Sequence, residues 1–140
     1  MIKTFRGLLA DEGQERIRLS TIKGKVGYKI VKFELMDNAP GAASRESIVK
    51  IYKTVQTTST QDVNFTDSNL LAAGYLESHS SPAYLDSQQI IFDREIFNQD
   101  IYITHIDVDA NNPVNYYIEL EVIPLDDAGA EYTTLKDMRQ

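Results

Sequence analysis

Ile101-Tyr102-Ile103-Thr104-His105-Ile106 and Val114-Asn115-Tyr116-Tyr117-Ile118-Glu119-Leu120-Glu121-Val122-Ile123 are the two runs on which the reading of the fold turns. In the second, Tyr116, Ile118, Leu120 and Val122 share one phase, and Asn115, Tyr117, Glu119 and Glu121 share the other. Successive side chains of a strand point to opposite faces, so this alternation marks a strand with one dry and one wet face. The first run is filled with β-branched and aromatic residues, the composition of a strand. Asp107–Pro113, rich in Asp, Asn and Pro, separates the two, and the local pattern predicts one long hairpin around which the rest of the chain packs.

Working outward, Val26–Met36 is the next strong run, and its phase slips. Tyr28 and Ile30 lie on one face, while Val31, Phe33 and Leu35 lie on the other, as a β-bulge would require. Lys3–Ala10 reads as a short strand or arm and Arg16–Ser20 as a strand with an exposed basic face, with a turn at Thr21–Lys25 between it and the slipping run. Glu46–Lys53 is a strand whose direction is ambiguous at Ile48, Val49, Ile51 and Tyr52. Asn69–Glu77 is compatible with helix or strand, and Gly74 favours strand. Gln88–Phe92 is a short strand, followed by a connector, residues 93–99, that Ile96 and Phe97 anchor in the core. Thr54–Asp67 is polar and predicted to be a long exposed loop, Ser78–Ser87 another. After the loop Asp126–Ala130, a final strand or arm covers Glu131–Met138. About eight short strands and no amphipathic helix point to an all-β protein, an antiparallel β-sandwich of jelly-roll type, in a single domain over residues 1–140 with extended arms at 1–10 and 132–140.

A chain of 140 residues buries enough surface for a core without disulfides or metal, and it contains no cysteine, which excludes a thiolate site. The short apolar cluster Leu8-Leu9-Ala10 is followed at once by Asp11-Glu12, too soon charged for a secretory segment, and no stretch is long and apolar enough for a membrane span. The expectation is a protein made and folded in a reducing cytoplasm with no membrane partner. The net charge of −7 divides unevenly. Residues 1–53 carry eleven Lys/Arg against six Asp/Glu, and residues 54–140 carry three against fifteen. The acidic balance argues against nucleic acid as a partner. Either the molecule has two surfaces of opposite sign, or strands interleave the halves and the charges mix.

Catalytic chemistry finds little support. His105, in phase with Ile101 and Ile103, faces the core or an interface, and His79 sits in a Ser-rich loop. Asp107, Asp109 and Asn111 copy the first ligands of a calcium loop, but Asn112 stands where that loop needs glycine and Ile118 where it needs glutamate. Glu119 and Glu121 share a wet face, where acids keep a strand soluble. The reading is therefore no enzyme, no catalytic residue, no cofactor and no metal. Outward-pointing tyrosines such as Tyr102 and Tyr117 point to a protein interface, or to sugar stacking if they shared one face.

The segments Leu19–Tyr28, Phe92–Ile103 and Asn115–Glu121, with the ending Thr134-Leu135-Lys136-Asp137-Met138-Arg139, resemble a family of small virion structural proteins of marine tailed bacteriophages. The resemblance implies a capsid-associated cement or decoration protein on the capsid exterior, with the major capsid protein as partner and self-association, for example as a trimer. Head-closure and tail-associated roles are the alternatives within that family. A carbohydrate-binding module and a small hydrolase are the alternatives outside it. Under the first reading the basic stretch Arg16–Lys32, with Arg16, Arg18, Lys29 and Lys32, meets an acidic capsid surface, and Tyr102 and Tyr117 join the interface.

Overall fold

The computed structural model describes residues 1–19, 25–81 and 85–125. The expected turn at 21–25 lies almost wholly outside these residues, as do Pro82, Tyr84, the loop at 126–130 and the expected strand or arm beyond it. Eight strands follow one another: β1 (Ile2–Leu9), β2 (Gln14–Ile17), β3 (Val26–Asp37), β4 (Arg45–Tyr52), β5 (Leu70–Ser78), β6 (Ser87–Phe92), β7 (Ile101–Asp107) and β8 (Val114–Pro124). They form two antiparallel sheets, one ordered β1-β8-β3 and the other β2-β7-β4-β5-β6. There is no helix among the described residues, and so none long and apolar enough to cross a membrane.

The alternation in β8 places Tyr116, Ile118 and Leu120 inward, each at most 3% exposed. They meet Val49, Ile51, Ile101 and Ile103 in one core cluster drawn from both sheets. Burying each such side chain stabilises the fold by about 1.5–3 kcal/mol. The slip in β3 is a register shift between Ile30 and Lys32, so Tyr28, Ile30, Phe33 and Leu35 all reach the core despite their phase change. Gly74 of β5 faces the same core because nothing larger fits. A Cβ there would lie 2.8 Å from Leu35 and 3.2 Å from Phe33.

The predicted hairpin is not formed. β7 pairs with β2 and β4, β8 pairs with β1 and β3, and the segment 108–113 carries the chain from one sheet to the other. A short turn-rich gap serves either purpose, and the partners that decide between them are remote in sequence. Residues 2–9, expected as a strand or arm, are a strand in continuous register with β8 from Ile2↔Glu121 to Leu9↔Val114. The connector after β6 hooks back onto the other sheet: the Tyr28 and Phe97 backbones exchange hydrogen bonds of 2.7 and 2.9 Å, with Phe97 1% exposed. Ile96 is only half-buried.

The segment between β4 and β5, loop 54–69, contains Thr54–Asp67, expected to be merely exposed, and most of its residues are. It also roofs part of the five-stranded sheet, which is why β4 is buried on both faces. Lys50, 2% exposed, donates through Nζ to Thr60 Oγ1 (3.0 Å) and the Asp62 carbonyl (2.6 Å). Gln14 and Gln56 exchange hydrogen bonds of 2.8 and 2.9 Å, and Ser59 Oγ donates to the Gly13 carbonyl. The two apolar phases of β4 in sequence were therefore real, one for each face.

Candidate functional site

The outer face of the three-stranded sheet consists of cross-strand rows: Ile2–Glu121–Lys29, Thr4–Glu119–Lys32, Arg6–Tyr117–Glu34 and Leu8–Asn115–Met36. Its charges are partly engaged within the face. Lys29 Nζ lies 3.4 Å from Glu121, Lys32 Nζ sits 5.7 Å from the Tyr117 ring centroid, and the Tyr117 hydroxyl donates to Glu119 at 2.7 Å. Its apolar members are open to solvent, with Ile2 50%, Leu8 56% and Met36 66% exposed. A depression of about 860 Å³ runs across Arg6, Leu8, Met36 and Tyr117.

The other predicted interface residues are elsewhere. Arg16 and Tyr102 are cross-strand neighbours on the outer face of the five-stranded sheet, with the guanidinium carbon 6.0 Å from the ring centroid. Arg16 Nε also donates to Asp100 at 2.7 Å, which raises its affinity for its proton, and Asp100 accepts from the Leu19 amide. Arg18, just past the end of β2, is exposed. The stretch Arg16–Lys32 is thus not one basic surface: Arg16 lies on the outer face of one sheet, and Lys29 and Lys32 lie on the outer face of the other. Tyr102 and Tyr117 separate in the same way, so they do not form one sugar-stacking platform. Likewise the two halves of the chain interleave, and Lys29–Glu121, Arg16–Asp100 and Lys53–Glu95 pair basic residues of the first half with acids of the second.

The residues weighed for catalysis serve the framework. His105 is fully buried, its Nδ1 3.1 Å from the Ala10 carbonyl and its Nε2 without a partner. Burial holds its pKa below the usual histidine value, against the opposing pull of the Ala10 carbonyl and of Asp11 and Asp107, so the ring is neutral at pH 7. Burial by itself would raise the Asp107 carboxyl, but the amides of Glu46, Asn112, Asp109 and Ala110, at 3.0–3.3 Å, outweigh it and hold it below the usual carboxylate range. The Asp-x-Asp-x-Asn pattern is accordingly a backbone-capping device. No group of three or more His, Asp or Glu is placed to hold a metal among the described residues.

What the sequence reading missed lies under loop 54–69. A groove of about 510 Å³ is floored by Ile48, Ala73, Gly74 and Tyr75 and walled by Val63 and Phe65 of the loop, Ile91 of β6 and Val108. At its polar end the Tyr75 hydroxyl lies 3.0 Å from Glu46 and 3.1 Å from Glu77. Burial first, then hydrogen bonding to the two carboxylates, pushes its pKa up. The only legible signal was the double-faced pattern of β4. Phe65 stands in a polar stretch, and the partners that make it part of a groove are distant in sequence. No family model and no curated protein matches the chain.

Proposed function

We propose that the chain is a non-enzymatic virion structural protein, a cement or decoration protein that binds the capsid exterior through the outer face of its three-stranded sheet. The observation that carries this reading is the openness of that face. The other sheet is partly roofed by loop 54–69, whereas Ile2, Leu8 and Met36 stand 50–66% exposed on the same face as the Lys29–Glu121 pair and the Lys32–Tyr117 contact. Exposed apolar side chains interspersed with charged ones suit adhesion to another protein surface. Binding by many copies on a lattice would add up modest individual contacts.

The jelly-roll form belongs to the same proposal, since double-sheet jelly rolls recur in viral capsid proteins. Such a fold is a ribbon of antiparallel pairs, first strand with eighth, second with seventh, third with sixth and fourth with fifth, rolled into two sheets. The ladders β1·β8, β2·β7 and β4·β5 supply three of these pairs. β3 packs beside β6, where Gln88 Nε2 donates to the Leu35 carbonyl at 3.4 Å, but β6 takes its ladder from β5.

Co-sedimentation of the purified chain with capsids assembled in its absence tests the functional reading. Leu8→Asp with Met36→Asp is expected to weaken binding at least about tenfold, and Lys29→Glu with Lys32→Glu to weaken it by a similar factor by reversing two cations of the face. Undiminished binding by both double variants would remove this face from the contact. No binding by the wild-type chain would remove the capsid role.

A further inference from the structure

We infer that the groove beneath loop 54–69 is a docking site for an extended peptide segment of a protein partner, lying along β6 with an aliphatic side chain at the groove and a lysine or arginine reaching over Ser87 towards the Glu46–Glu77 pair. This goes beyond the capsid reading and uses the opposite sheet, so the two can fail separately.

The backbone argues for an extended peptide. Among the described strands, β6 forms its ladder with β5 on one side and is the edge of the sheet on the other. An edge strand of this kind leaves main-chain donors and acceptors that an added strand satisfies. Gln89 and Ile91 of that edge strand also line the groove, so a strand added there would send alternate side chains onto the same face.

The side chains define what the segment carries. Val63, Phe65, Ile91 and Val108 around the groove are 44–65% exposed, an apolar site large enough for a branched aliphatic group. Ala73 keeps the floor low. At the other end Glu46 and Glu77 are direct cross-strand partners, a like-charge pair that destabilises a sheet. The Tyr75 hydroxyl lies between them with one proton, which cannot satisfy both carboxylates fully, and His79 Nε2, 3.6 Å from Glu77, reaches only that one. A cation placed there would relieve the repulsion. The cross-strand rows fix the spacing: Ile91 lies in the row of Ala73, and Ser87 lies in the row of Glu77. An antiparallel segment therefore places its aliphatic group first and its cation about four residues later.

The probe is a fluorescein-labelled peptide with the core Val-Thr-Val-Thr-Lys-Thr-Lys, followed by fluorescence anisotropy against the full chain. Saturable binding is expected, weakened about tenfold by Ile91→Asp and to a similar extent by Glu46→Gln with Glu77→Gln. The same peptide with every backbone nitrogen methylated, or with glutamate in place of lysine, is expected to bind at least about tenfold more weakly. Both variants alter accessible side chains, and unchanged thermal melting confirms their fold. Equal binding of the methylated peptide, binding unchanged by the variants, or none at about 1 mM peptide would overturn the proposal. So would a concentration-dependent dimer abolished by Ile91→Asp, which would give the groove to a second copy of this chain.

Discussion

Asp107 shows how one side chain can carry a signature of chemistry and do a structural job. Its two oxygens accept four backbone amides around the segment that leaves β7. The residue types were legible in sequence; their use was not, because the Glu46 amide arrives from another strand. The unfolded carboxyl titrates near about 3.9 and the folded one lower, so the ionised form is preferred by the native state. Its contribution is complete above about pH 4 and is lost as the pH falls through the folded value. Asp107→Asn is expected to cost about 2–3 kcal/mol at pH 7 in urea unfolding, and to lose less further stability than the wild type between pH 4 and 2. Equal stability at pH 7 would show that the amides find other acceptors.

At the scale of elements, the sequence revealed strands better than their neighbours. The bulge in β3 was visible because the slip from Ile30 to Phe33 is written into the order of apolar residues. The β7–β8 hairpin was misread because local pattern carries no information on which strand lies alongside. Loop 54–69 was read correctly as polar, but its role as a roof depends on Lys50, whose buried ammonium is held by Thr60 and Asp62. Burial lowers the Lys50 pKa, opposed by the charges of Asp62 and Asp67. Lys50→Ala should release the roof while leaving the two sheets paired. Thermolysin cleavage at Val63 or Phe65 is expected to accelerate about fivefold to tenfold under native conditions, as local opening becomes cheaper by about 1 kcal/mol. An unchanged rate would mean that Gln14 and Ser59 hold the loop without it.

Across the whole molecule, buried polar groups fasten one sheet to the other. Arg45 of β4 and Asp37 of β3, 2% and 7% exposed at their side chains, form an ion pair at 2.6 Å. Arg45 also donates to the Pro113 carbonyl and to Asn38 Oδ1, while Asp37 accepts from Ser78 of β5 at 2.9 Å. Removing one partner strands the other charge in the interior. Arg45→Ala is therefore expected to cost about 3–5 kcal/mol, lowering the melting temperature by roughly 10–15 °C. Calorimetry showing a drop of only a degree or two would mean that water replaces the guanidinium.

The ladder between β1 and β8 has a consequence for biosynthesis. A ribosome releases residues 2–9 long before it has made 114–124, their sole ladder partner among the described strands. Until then an amphipathic segment with Ile2, Phe5, Leu8 and Leu9 has nowhere native to go, and closing so distant a pairing is slow. The nascent chain thus passes through a window in which residues 2–9 lack their native partner, and a chaperone that shields that segment would raise the yield of folded protein more than one that acts later.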